Sequence, residues 1–166
     1  MALRPVRHVR ATVVALVVAA VAASTLLLAP TPASATVPYA AKSFTPAQYA
    51  DRVHKLINKR RAAHGLRPLK DGTTIDRIAR NRAQRLVENR EFRHYSLKPL
   101  FSKANASYAG ENLVSGPFGP RRAVRAWMKS PGHRKIMLSK KPNKVGVGAA
   151  VTRDGAWLTV ADFVRN

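Results

Sequence analysis

Residues 123–138, AVRAWMKSPGHRKIML, decide how the chain is read. Val124, Trp127 and Met128 stand at i, i+3 and i+4 and form one apolar helical face. Ser130-Pro131 interrupts that face. Serine is a favoured N-cap and proline suits the first helical position, so a second, short helix begins there and runs through Ile136, Met137 and Leu138. Upstream, Gly116-Pro117-Phe118-Gly119-Pro120 is a turn cluster, and Pro120 opens the first of the two helices. Beyond Pro142 the period drops to two: Val145, Val147, Ala149 and Val151 alternate with Gly146, Gly148 and Ala150, a strand that passes close to other backbone. Asp154-Gly155 signals a hairpin. Residues 156–164 form the return strand, with Trp157, Thr159, Ala161 and Phe163 on one face.

Towards the N-terminus, Thr45-Pro46 caps a helix whose stripe is Tyr49, Val53, Leu56 and Ile57, and which Gly65 ends. Ile75, Ile78, Ala79, Ala83, Leu86 and Val87 make a second amphipathic helix, with Arg77, Arg80, Arg82 and Arg85 on its outer face. Residues 91–109 read as a loop, and Gly110-Glu111-Asn112-Leu113-Val114 as the start of a short strand. The predicted order is helix, helix, strand, helix, helix, strand, strand.

Before all this lies a different kind of segment. Arg4, Arg7 and Arg10 precede an uncharged run over residues 11–29, followed by Pro30, Pro32 and the small-x-small pattern Ala33-Ser34-Ala35. This is the layout of a secretory signal peptide over residues 1–35, with a membrane anchor at residues 11–29 as the alternative. Residues 36–44 read as a linker and 45–166 as the folded domain. A secreted protein is therefore expected, in contact with a membrane only through an uncleaved signal segment. The chain has 166 residues, a net charge of +22 and no cysteine. Its length suits one domain, and the missing cysteine excludes disulfides, thiolate metal sites and a cysteine nucleophile. The charge makes anionic polymers plausible partners. Few aromatics interleave with the arginine-rich helix, so sequence-specific nucleic-acid binding is not expected.

Four histidines follow the linker. His54 and His64, in and at the end of the first helix, read as solvent-facing polar residues or as a favourable charge at the helix end. His94 and His133 sit at loop-to-element junctions. The third helical position of His133 disfavours the imidazolium, and a neutral ring is what a metal ligand or general base needs. Glu111, in so basic a body, is expected to be paired, with a histidine as one natural partner.

Phe92-Arg93-His94-Tyr95-Ser96, Gly110-Glu111-Asn112-Leu113, the Trp127 to His133-Arg134 run, Val145-Gly146-Val147-Gly148 and Trp157 to Asp162-Phe163, taken in this order and spacing, resemble the CAP superfamily, in particular its secreted bacterial branch. The resemblance spans about residues 49–164. It implies an α+β fold, a three-layer α-β-α sandwich with a small central antiparallel sheet. It also implies a cleft in which His94 and His133 hold a divalent metal, zinc first, with Glu111 orienting them or a bound water. His94, Glu111 and His133 are then the candidate catalytic residues, and the two rings are expected to face each other across the cleft. Many eukaryotic members carry a second glutamate where this chain has Ser130, which leaves fewer donors. As an N-cap, the Ser130 hydroxyl is expected to bind backbone N–H groups and to be unavailable for a Ser-His dyad.

Three functions follow. The first is an extracellular binding module for an envelope or extracellular lipid, glycan or protein. The second is a metal-dependent hydrolase, whose base only Glu111 could readily supply. The third is a basic polyanion-binding protein.

Overall fold

A computed structural model describes residues 44–166. The signal segment at 1–35, its anchor alternative and almost all of the linker lie outside the described residues. The elements run α1 (Pro46–Ala62), α2 (Thr73–Glu88), α3 (Lys98–Ala104), β1 (Tyr108–Gly116), α4 (Pro120–Lys129), α5 (Pro131–Met137), β2 (Lys144–Val151) and β3 (Trp157–Arg165).

The three strands form one antiparallel sheet in the order β1-β3-β2, with helices on both faces. Strand periodicity decides which residue goes to which layer. Val145, Val147 and Ala149 of β2 and Trp157, Ala161 and Phe163 of β3 pack with Tyr49, Val53 and Ile57 of α1, Val124 and Trp127 of α4 and Met137 of α5. The alternate residues, Leu113, Ala150, Leu158 and Val160, pack with Ala79, Ala83 and Leu86 of α2. The fold is thus the expected three-layer α-β-α sandwich.

Local signals explain most boundaries. Thr45 and Gln48 form a reciprocal capping box at α1, the Thr45 hydroxyl accepting from Gln48 N–H and Gln48 Oε1 from Thr45 N–H. Gly65 takes φ of 66°, beyond the last turn. The glycines of β2 are spaces for α2. A Cβ on Gly148 would overlap the Ala79 carbonyl group, and one on Gly146 would overlap the Ile75 carbonyl carbon. Helix and strand here meet backbone to backbone. Gly148→Ala must push α2 off the sheet, and a loss of about 1–3 kcal/mol in urea unfolding is expected; an unchanged midpoint would mean that α2 does not pack this closely.

Two expectations need correction. Residues 98–104, read as loop, form the short helix α3, which buries Leu100 and Ala104 against Ile75, Ile78 and Val164. His54, expected to face solvent or to serve as a helix-end charge, is partly buried. Its Nδ1 lies 2.5 Å from Asp71 Oδ1, and its Nε2 is 3.0 Å from the Leu69 carbonyl, which pins the turn after α1.

Candidate functional site

The edge strand β1 organises the site, because adjacent residues on it face opposite layers. Glu111 shares the face of Leu113, towards α2. Asn112 takes the other, towards α5.

On the α2 face Glu111 is buried, and both of its oxygens are engaged. Arg82 donates from Nη1 to Oε2 at 2.7 Å, and His94 Nδ1 meets Oε1 at 2.6 Å. A carboxylate only accepts, so His94 carries its proton on Nδ1 and leaves Nε2 as the open nitrogen. The His94 side chain is 59% exposed, so the ring stands at the rim with its inner nitrogen fixed. Arg82 reaches two further groups: Nη2 donates to the Ser96 carbonyl at 2.6 Å, and Nε lies 3.6 Å from Asp162 Oδ2. Asp162 is directly opposite Glu111 in the β1–β3 register and is fully buried. Burial pushes its carboxyl up to about 8, the Arg82 charge opposes this, and the Glu111 charge adds to it.

On the α5 face Asn112 donates from Nδ2 to the His133 carbonyl at 3.0 Å and ties the start of α5 to the sheet. Trp127 Nε1 donates to the Leu113 carbonyl at 3.0 Å and does the same for α4. The His133 ring bonds Ser130 Oγ through Nδ1 at 2.9 Å. This corrects the expected role of Ser130, whose side chain makes no cap bond to backbone N–H at α5. The contact is local, within one turn. No third group orients the imidazole among the described residues, which a nucleophile–base pair requires. Burial first, and Coulombic coupling to the His94 ring second, hold His133 below the usual histidine range, so it is neutral as expected, though for a different leading cause.

The structure therefore joins His94 to Glu111 directly. His133 reaches Glu111 only through the neighbouring Asn112, and its coupling to His94 is electrostatic. Among the described residues no group of three or more His, Asp or Glu side chains is placed to hold a metal ion.

Arg82 and Asp162 complete the site; the sequence shows the first on a helix face and the second in a motif, and marks neither as a site residue. The sequence expectation puts Arg82 on the outer face of α2 with Arg77, Arg80 and Arg85. Arg77, Arg80 and Arg85 are exposed, whereas Arg82 is buried. Its position was detectable: Ile75, Ile78, Ala79, Arg82, Ala83 and Leu86 make one continuous stripe at helical spacing. Asp162 likewise interrupts the apolar series Leu158, Val160, Val164 on one face of β3.

Comparison with known proteins agrees with this architecture. A family model described as CAP, cysteine-rich secretory protein family, matches residues 54–163, more than half of the chain. An uncharacterized protein of Bacillus subtilis, YkwD, is 35% identical over 107 residues, which are 60% of this chain and 42% of that protein. The chain spans less than half the length of the curated relatives it matches. Among solved structures, an outer surface protein from Borrelia burgdorferi is similar with a TM-score of 0.67 at 22% identity, over 74% of this chain and 96% of that one. An extracellular protein of Bacillus anthracis containing an SCP domain gives 0.62 at 23% identity, over 74% and 44%.

Proposed function

Since the chain belongs to the CAP family of cysteine-rich secretory proteins, we propose that it is a secreted, non-catalytic binding module whose His94–Glu111–His133 cleft receives an envelope or extracellular ligand. One observation carries this reading: Glu111, the acid a hydrolase would use as its base, has one oxygen on His94 and the other on a buried arginine. A carboxylate held in that way orients a histidine and is not free to take a proton from water. The signal-like segment at 1–35 supports export, as do the descriptions of the two structural relatives as an outer surface and an extracellular protein.

In this reading a divalent metal is at most a weakly held ligand of the cleft. The nitrogens left for it are Nε2 of His94 and Nε2 of His133, whose Nδ1 atoms are occupied by Glu111 and Ser130. Two imidazoles are fewer than the three protein ligands of a catalytic zinc site. Bound there, zinc would polarise a donor group of the ligand, while Glu111 and Ser130 hold the rings in place.

Zinc titration by calorimetry tests this. One weak site is expected, lost in His94→Ala and in His133→Ala. Ser130→Ala should weaken it by about 10- to 100-fold, the usual effect of removing a group that orients a ligand. Zinc-dependent turnover of ester, peptide or phosphodiester substrates, abolished with the same residues, would replace the binding reading with a hydrolytic one.

A further inference from the structure

The turn after α1 and the segment leading into β2 enclose a cleft of about 580 Å³. Arg61, Arg67, Lys70, Lys140, Lys144 and Arg165 line it, and no Asp or Glu side chain does. Clustered cations repel one another, so a surface of this kind is favoured when an anion sits in it.

Arg61 gives the cleft a fixed part. It is 2% exposed, on the last turn of α1. Nε donates to the Arg67 carbonyl at 3.0 Å, and Nη1 to the carbonyls of Met137 and Ser139 at 2.9 and 2.7 Å. These bonds hold the chain at the C-terminus of α5 and set the plane of the guanidinium. None neutralises it. Among the described residues Arg61 has no carboxylate partner, and its Nη2 has no protein acceptor. Asp71, next to Lys70, is engaged by His54. Burial without a counter-charge lowers the Arg61 pKa, which an anion would reverse.

We propose that this cleft binds a phosphate-bearing ligand, with the buried Arg61 guanidinium as a fixed anchor and Lys70 and Lys140 closing on the phosphate from the rim. The site is separate from the His94–Glu111–His133 cleft and shares no residue with it. Phosphate is the oxyanion that fits: it offers oxygens in several directions to cations arriving from several elements, where a carboxylate offers two in one plane.

The test uses the full chain, with Lys70→Gln/Lys140→Gln compared with Arg80→Gln/Arg85→Gln. Both pairs are exposed and remove equal charge, the second from the solvent face of α2. One arm titrates inorganic phosphate by calorimetry. The other measures co-sedimentation with phosphatidylcholine vesicles that do or do not contain phosphatidylglycerol. A saturable interaction weakened about tenfold or more by the first pair, and little by the second, is expected. The arm in which it appears tells free phosphate from a phosphodiester headgroup. Equal weakening by both pairs would reduce the effect to net charge and overturn the proposal, as would the absence of binding in both arms.

Discussion

Arg82→Ala is expected to destabilise the protein by about 3–5 kcal/mol, the usual result of removing one partner from a buried ion pair. The side chains of Arg82, Glu111 and Asp162 are 7%, 3% and 0% exposed. Glu111 and Asp162 are register partners on the same face of the sheet, so two carboxyl groups rely on one guanidinium. Without it, Glu111 is a buried carboxylate beside a second acid, and the Ser96 carbonyl loses its donor. The loop carrying His94 then loses its tie at Ser96 and keeps only the bond from His94 to Glu111. Urea unfolding at neutral pH measures the effect, with Arg85→Ala as the comparison: Arg85 is exposed on the same helix, and its loss should change stability by less than about 0.5 kcal/mol. Glu111→Gln added to Arg82→Ala should recover part of the loss, because the charge left unpaired is then gone. Equal shifts for Arg82→Ala and Arg85→Ala would mean that Arg82 belongs to the solvated face after all.

The features legible in the sequence were those fixed by local chemistry. The Thr45 cap, the Gly65 stop, the helix break at Ser130-Pro131 and the period-two strands each depend on a few neighbouring residues. Gly146 and Gly148 were legible as close approaches because glycine alternating with valine along a strand marks places where other backbone can come near. The helix α3 was not legible. It is seven residues long, has no side-chain cap, and is held by the burial of Leu100 and Ala104 against distant elements. The site was legible in part. Glu111 and His94 form the expected pair, because an acid in so basic a chain finds a partner. Arg82 and Asp162 are legible not from residue type, which suggests solvent, but from position. A lone charge on an apolar stripe is the sign of a buried partner, and here two such charges, on α2 and β3, meet at Glu111. Ser130 shows the opposite error: its place in the sequence fitted a cap, but its hydroxyl went to the ring three residues on.

Asp162→Asn should remove a pH dependence of stability that has the reverse of the usual carboxylate sign. Most buried carboxylates are held ionised and lose their contribution in acid. Asp162 is raised from 3.8 to about 8 by burial, so the folded state binds a proton that the unfolded chain has released. Its stabilising contribution is fully present below about 3.8 and is lost progressively as pH rises to about 8. A protonated Asp162 leaves a single carboxylate, that of Glu111, for Arg82 to neutralise. Asparagine is neutral at every pH and keeps a donor, so the two proteins should be similar in acid. The wild type should then lose ground to the variant by on the order of 1 kcal/mol per pH unit across that window. The comparison must be a difference between the two proteins, because His133 acts in the other direction. Held below its ordinary value, it contributes stability above about 6.5 that is lost as pH falls through its folded pKa. Urea midpoints for both proteins between about pH 4 and about pH 8 measure the difference. A difference that stays flat would mean that Asp162 is ionised throughout, with Arg82 facing two full negative charges beneath the His94–Glu111 pair.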